Sequence, residues 1–321
     1  MLFNRLVKRQ KHLKKWAKRI KTNTYRLYDR DIPEIPLVLD IYGNAVSGAL
    51  YKRPYEKDQT EETFWLEAMN KVIAEALDIS TDRIFIKIRQ KQRGNAQYNR
   101  LGKDGFWTDA AEGDLLFRVN LSDYLDTGLF PDARRKRAFL LTEAGGKKML
   151  NLFSYTCTLS VCAAAGAAAE TDSVDMSNTY LEWGAVNFKL NGFDSVTMDE
   201  MDFMRARKLE KPHRLIRADV LGFLNKAAAS HKKWDLVILD PPVFSNSKKM
   251  TTHLDLRRDY AKLIKQCFMV LNPGGSVWFS SNAGGFNFDS GQFPGAAIRQ
   301  PDFRDEDFRN KKIPSCWIIN P

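Results

Sequence analysis

The sequence predicts an α/β protein: a mostly parallel, doubly wound sheet preceded by a smaller α+β domain. Three observations carry that prediction. From about residue 134 onward, helical and strand periodicities alternate, the pattern of helices crossing over a parallel sheet. Before it, short strands and one amphipathic helix are punctuated by Pro33, Pro36 and Gly43. The chain has 321 residues, 44% hydrophobic and 28% charged, which gives room for two ordinary domains and material for a large core.

The elements follow in order. Residues 1–28 carry ten Lys/Arg and no acid, whereas the remainder holds 40 basic against 39 acidic residues, so nearly all of the net charge of +11 sits in this one segment. Within it Leu6, Leu13, Trp16, Ala17 and Ile20 fall at helical spacing, which predicts a basic helix over 1–22. Three readings compete for it: a charged face docked on the body, a polyanion-binding arm built from Lys11, Lys14, Lys15, Lys18 and Arg19, or a membrane-surface helix. Strands are expected at 24–29, 36–43 and 45–51. A helix follows at 60–78, with Phe64, Met69, Val72, Ile73, Ala76 and Leu77 inward. The next strand, RIFIKIR at 83–89, alternates Ile84, Ile86 and Ile88 inward with Phe85, Lys87 and Arg89 outward. Arg83 to Lys103 holds seven Lys/Arg and no acid, so Lys87, Arg89, Lys91 and Arg93 are candidate nucleic-acid contacts. A hairpin over 106–120, turning at Glu112-Gly113-Asp114, completes a small domain expected to bind RNA, with bounds 23–125.

The larger domain is expected over 126–321. Helices are predicted at 134–146, 158–167, 177–192, 220–229 and 254–271. Strands are predicted at 147–153, 169–175, 213–219, 234–240 and 275–282, with a late strand at 315–320. Residues 193–212 read as a Met- and charge-rich surface insertion near the sheet edge. The four cysteines form no CxxC pair, and the four histidines are unclustered. That fits neither zinc nor a disulfide framework and leads to the expectation of a reducing cytoplasm and no metal. No apolar run approaches the ~18 residues that span a bilayer, so no membrane is expected as partner.

Ligands of doubly wound sheets bind at the carboxyl ends of the strands. Here those ends are polar: Asn151 and the loop Phe153-Ser154-Tyr155-Thr156, then Asp175, Asp219 and Asp240. An acid ending the second strand can accept from both ribose hydroxyls of a nucleoside, and one ending the third from an adenine amine. Each is also a good helix N-cap. The first loop contains no glycine and therefore lacks the GxGxxG cradle for a pyrophosphate. A nucleoside without pyrophosphate, S-adenosylmethionine, suits it better.

FPDAR at 130–134, LNLFSYT at 150–156, DMSNTYLEWGAVNFKLNG at 175–192, HRLIRAD at 213–219, DPPVFSNSK at 240–248 and CW at 316–317 occur together in this order. With the basic opening NRLVKRQKHLKKWAKR, they resemble class I S-adenosylmethionine-dependent ribosomal RNA methyltransferases (Rossmann-like), above all the K half of the bifunctional large-subunit K/L enzymes. The wider likeness extends to the large-subunit methyltransferase I group and covers nearly the whole chain. The resemblance implies that Phe130, Asp132 and Arg134 border the cofactor, with Asn151, Phe153, Ser154 and Tyr155 in the first loop. It implies Asp175 and Met176 on the ribose side, Asp219 and Val220 near the adenine, and Asp240, Pro241, Pro242 and Phe244 facing the target base. It further implies methylation of guanosine N7 in 23S ribosomal RNA or its large-subunit precursor.

Three departures stand out. Cys157 occupies a position where these sequences typically have glycine, the 193–212 segment is longer than the family's connection, and SSNAGGF at 280–286 lacks a basic pair before Gly-Phe. The second half of the K/L enzymes is also missing, so target choice is expected from this chain or a partner protein. Guanine N7 has an in-plane lone pair and needs no general base, so position and electrostatics carry the reaction. Methylation of guanine N2 or cytosine C5, or a non-catalytic RNA-binding assembly role, are the alternatives; C5 chemistry requires a cysteine nucleophile.

Overall fold

The protein is described from a computed structural model covering residues 1–51, 59–89, 102, 105–206, 210–245, 254–308 and 313–321. It divides into two compact units: Met1–Pro131 with Glu306–Arg309, and Asp132–Asp305 with Asn310–Pro321.

The first unit opens with α1 (Leu2–Arg19), then β1 (Thr24–Asp29), β2 (Leu37–Tyr42), β3 (Ala45–Tyr51), α2 (Gln59–Leu77), β4 (Ile84–Arg89), β5 (Trp107–Glu112) and β6 (Leu115–Asn120). The first four strands form a sheet in the order β1-β2-β3-β4. It is antiparallel except for β3 and β4, which run parallel because α2 crosses over between them. One face carries the core: Leu2, Leu6, Leu13, Trp16 and Ala17 of α1 and Ile73, Ala76 and Leu77 of α2 pack on Leu27, Leu39, Val46, Leu50 and Ile84. The basic helix is therefore docked, with Lys8, Lys11, Lys14, Lys15, Lys18 and Arg19 on its exposed side.

Two inward assignments are corrected. Phe64 is 67% exposed, while Trp65 and Leu66 pack on the core in its place. At about 100° per residue, nine residues put Phe64 opposite Ile73. In β4 the alternation is as expected, but both its consequences differ. Ile88 is exposed at the strand's end, and Lys87 is buried. The second sheet face is not solvent: the β5–β6 hairpin and the segment after it cover it. Phe85 meets Phe106 at 4.6 Å between ring centroids with the planes tilted by 39°, Tyr42 Oη donates to Leu129 O at 2.9 Å, and Arg89 donates to Asp126 Oδ1 at 2.6 Å. Lys91 and Arg93 lie outside the described residues.

The second unit runs α3 (Arg134–Glu143), β7 (Lys148–Leu152), α4 (Thr158–Ala165), β8 (Glu170–Asp175), α5 (Asn178–Leu190), β9 (Ser195–Asp199), α6 (Glu200–Arg205), β10 (His213–Arg217), α7 (Val220–Ala229) and β11 (Trp234–Leu239). It continues with the short strands β12 (Phe244–Ser245) and β13 (Leu254–Asp255), α8 (Leu256–Phe268), β14 (Leu271–Ser281), β15 (Ala297–Arg299) and β16 (Ser315–Asn320). Eight strands join in the order β15-β16-β14-β11-β7-β8-β10-β9. All neighbours from β14 to β9 are parallel, and β16 is antiparallel to both of its neighbours. This is the Rossmann-like, mostly parallel α/β sheet that the sequence predicts. The 193–212 segment is more than a surface excursion, because it supplies the parallel edge strand β9 and the short α6, whose Phe203 is buried.

Helices cover both faces. Phe203, Val220, Phe223, Leu224, Leu263 and Ile264 of α6, α7 and α8 fill one core, and Leu140, Ala144, Leu159 and Ala163 of α3 and α4 fill the other. A buried ion cluster ties the strands at their amino ends. Arg214 of β10 donates to Asp172 and Glu170 of β8, and Trp234 Nε1 of β11 donates to Asp172 at 2.7 Å. The order of the strands reverses between β7 and β11, the switch point at whose carboxyl ends sheets of this kind bind their ligands.

Candidate active site

Register sets the site's geometry. Leu239 of β11 pairs with Leu152 of β7, Leu152 with Val174 of β8, and Asp175 with Arg217 of β10. Asp240, Phe153, Asp175 and Arg217 therefore stand at one level across four strand tips about 4.8 Å apart, with Asp219 two residues further along.

The loop after β7 is held in an unusual backbone. Phe153, Tyr155 and Cys157 have φ of 57°, 51° and 59°, left-handed conformations that non-glycine residues adopt at a cost of about 1 kcal/mol each. Hydrogen bonds offset that cost: Ser154 N donates to Val174 O at 3.0 Å, Tyr155 N to Asp175 Oδ2 at 2.9 Å and Cys157 N to Ser154 O at 2.9 Å. Asp175 Oδ1 also accepts from Ser177 N at 2.9 Å. Burial pushes the Asp175 carboxyl above its ordinary range, against the backbone N–H groups of Ser177, Tyr155 and Met176 that favour its charged form. Tyr155 lies edge-on to Tyr180 of α5 at 4.5 Å between ring centroids.

Asp219 caps α7, its Oδ2 accepting from Gly222 N at 3.1 Å, and Val220 is buried behind it. Asp240 accepts from Lys136 Nζ at 2.6 Å. Pro241 is buried and Phe244 is 58% exposed, presented by a two-strand clip in which Phe244 pairs with Asp255. The clip's base is fixed by Leu256 N donating to Val243 O at 3.1 Å.

Other expected residues are placed differently. Asn151 is buried inside the seam between β7 and α4, where its Nδ2 donates to Ser160 Oγ at 2.9 Å. Its Oδ1 is buried with no hydrogen-bond partner among the described residues. Arg134 is buried and pairs with Asp305, with Asp132 in the 3₁₀ turn just before it. Phe130 belongs to the first unit, 44% exposed.

Lys136 and Ser280, which complete the surroundings of Asp240, escape the sequence reading. So does Arg257 of α8, whose guanidinium donates to the carbonyls of Gly284 and Gly285 in the loop that lacks a basic pair. Lys136 did leave a signal: it shares a four-residue spacing with the apolar Leu140 and Ala144.

The donor set suits a cationic nucleoside. The loop's Ser154, Tyr155 and Cys157 N–H groups are spent internally and offer no phosphate cradle, and a row of carboxylates repels phosphate while attracting a sulfonium and an ammonium. Ribose hydroxyls can donate to the remaining lone pairs of Asp175.

A family model described as S-adenosylmethionine-dependent methyltransferase matches residues 30–290. The chain is 40% identical over 318 residues to ribosomal RNA large subunit methyltransferase K of Neisseria meningitidis serogroup B, covering 98% of this chain and 86% of that protein. It is 41% identical over 322 residues to ribosomal RNA large subunit methyltransferase K/L of Hahella chejuensis, covering 99% of this chain but only 42% of that relative. Among solved structures, a putative methyltransferase from Streptococcus mutans superposes with a TM-score of 0.73 at 23% identity, over 99% of this chain and 80% of that one, a likeness of fold.

Proposed function

This chain belongs to the S-adenosylmethionine-dependent methyltransferases, and on that premise we propose that it methylates guanosine N7 in 23S ribosomal RNA. The observation that carries the reading is the row of Asp240, the Phe153–Cys157 loop and Asp175 at one level of the sheet, beside an exposed aromatic. The large-subunit ribosomal RNA in the relatives' names supports the substrate class.

The bound donor supplies an electrophilic methyl on a cationic sulfur. Asp175, oriented by two backbone N–H groups, accepts from the ribose hydroxyls, with Met176 beside it. Asp219 and Val220 border the adenine. Phe153, Ser154 and Tyr155 line the loop side, and Asp132 the rim. Asp240 with Pro241 and Pro242 faces the methyl, and Phe244 stacks on a base splayed from its RNA context. Attack by the N7 lone pair requires no proton removal, so alignment and a carboxylate near the cationic product are what the protein contributes. The exposed lysines of α1 hold the RNA backbone.

Cytosine C5 chemistry is disfavoured by one observation. Cys316 is 2% exposed, and burial pushes its thiol up to about 11, far from a ready nucleophile.

Mass mapping of 23S ribosomal RNA from cells with and without this chain tests the reading. One 7-methylguanosine is expected to disappear. Loss of an N2 or C5 methyl instead, or no change at all, overturns the N7 assignment. Phe244→Ala is expected to slow methyl transfer at least tenfold with donor affinity unchanged, as for a group that meets only the target base.

A further inference from the structure

Lys136 stands in the run Arg134-Arg135-Lys136-Arg137, where a lysine reads as solvated, yet its side chain is 5% exposed. Lys136 and Leu140 share the face of α3 that packs on the sheet, in line with Ala144 just past its end, and all three are buried. The ammonium donates to Asp240 Oδ2 at 2.6 Å and to Ser280 Oγ at 2.9 Å. Asp240 follows the last residue of β11, and Ser280 is next to last in the neighbouring parallel strand β14. One cation from a preceding helix thus bridges the carboxyl ends of two adjacent strands.

A buried ammonium is tolerated only with a close counter-charge and further acceptors. Asp240 and Ser280 supply both, and they do so asymmetrically. The lysine end is dry, whereas the Asp240 side chain is 37% exposed. The carboxylate is therefore gripped from its dry side through one oxygen, which leaves the other to the solvent side. Pro241 and Pro242 follow at once and fix two φ angles, so few torsions separate the Asp240 backbone from Phe244. The far end of the turn is held by the Leu256 N–H on Val243 O.

We propose that Lys136 is a positioning residue for the methyl-transfer site, acting through Asp240 to set the orientation of the Asp-Pro-Pro-Val-Phe turn. The inference rests on the reading of Asp240 as a donor- and base-facing residue given above. Lys136 itself touches neither ligand. Its role is to hold the Asp240 carboxylate in one rotamer and to close the gap between β11 and β14, so that the donor meets a preset acceptor.

A double-mutant cycle on the full chain decides the matter, with Lys136→Met, Asp240→Asn and the double variant. Calorimetry measures S-adenosylmethionine affinity, single-turnover assays measure methyl transfer to deproteinised 23S ribosomal RNA, and melting midpoints confirm folding. Lys136→Met is expected to weaken donor affinity about tenfold in the wild-type background and less than about twofold in the Asp240→Asn background. Equal fold losses in both backgrounds, or unchanged donor affinity in Lys136→Met, overturn the proposal. Ser280→Ala, which spares the ion pair, is expected to lose less than Lys136→Met; an equal or larger loss overturns it as well. The donor-binding arm stands without RNA, so an inactive wild-type chain on this RNA refutes the substrate reading and leaves the Lys136 result to be decided by calorimetry.

Discussion

Cys157 and Gly184 meet where the cofactor loop touches α5. A Cβ built on Gly184 would lie 2.6 Å from Cys157 Sγ and 3.1 Å from its Cβ, so the thiol occupies space that only glycine leaves open. Cys157, where the resemblance leads to the expectation of glycine, is thus faced by a glycine directly opposite, and its side chain is directed into α5. Gly184→Ala is expected to destabilise the fold by about 1–3 kcal/mol through overpacking and to weaken donor binding. Adding Cys157→Gly should restore both, because it removes the clash and the left-handed strain together. Scanning calorimetry of the three variants checks this; an unaltered midpoint for Gly184→Ala would refute it. A second residue-scale prediction concerns Lys87. It is 8% exposed, its Nζ has no hydrogen-bond partner among the described residues, and burial holds its pKa down at about 8 against the pull of Asp126. An unfolded lysine keeps its proton to about 10.4. Between those values the unfolded chain binds more protons, so stability rises with pH from 8 toward 10.4, and below 8 both states are protonated and the slope vanishes. The rise amounts to about 3 kcal/mol. Lys87→Met should therefore be more stable than the parent in urea titrations at pH 7, with that advantage closing by pH 10. A constant difference across the range would contradict the assignment.

At the scale of elements, α1 carries a core stripe and a cationic face on the same 18 residues. The two are separable, because the exposed lysines do no packing. Replacing Lys11, Lys14, Lys15 and Lys18 by Glu is expected to leave the melting midpoint and donor affinity nearly unchanged. RNA affinity should fall, and the salt dependence should flatten by roughly 0.7–0.9 in log–log slope for each phosphate the helix no longer neutralises. Filter binding over a salt series reads both; an unchanged slope would remove α1 from the RNA path. This helix is legible in the sequence because its apolar positions repeat at three to four residues. β9 is not: Val196 and Met198 do alternate with Ser195, Thr197 and Asp199, but two apolar positions in five residues, half-solvated at a sheet edge, are too short a pattern to stand out from the Met- and charge-rich segment around them. β4 is half legible. Its alternation sorts the side chains to two faces, but a one-dimensional pattern cannot show that a hairpin twenty residues later covers the second face, where Lys87 and Arg89 are buried or paired instead of free for RNA. Among the candidate residues, the placement of Asp175, Asp219 and Asp240 just beyond strands is legible because strand ends mark themselves. The spacing of Lys136 with Leu140 and Ala144 shows only that it faces the core; its partner Asp240, like the Gly284 and Gly285 carbonyls that Arg257 meets, is remote in sequence and so stays hidden.

At the scale of the whole molecule, the first unit is not continuous in sequence. Glu306–Arg309 belongs to it, and the buried Asp307 carboxylate accepts from Arg26 N at 3.0 Å while Phe308 lies under the Arg26 guanidinium at 4.8 Å. His12 pairs with Glu306 at 2.9 Å. A fragment ending at Pro131 keeps the sheet and both helices yet loses the Asp307 carboxylate that accepts from Arg26 N, a bond to a charged group worth about 1.5–3 kcal/mol. It should melt below the corresponding transition of the full chain, and a synthetic peptide spanning 302–312 added in trans should recover part of the difference; identical midpoints with and without these residues would show them to be passengers. The same discontinuity bears on synthesis. A ribosome making this protein releases residues 1–131 long before residue 307, so the leading unit must wait, without the buried Asp307, until every parallel strand of the second unit has been translated. Folding here is completed from the tail backwards, and a nascent chain stalled anywhere in the sheet region would carry an unfinished amino-terminal body for as long as the stall lasts.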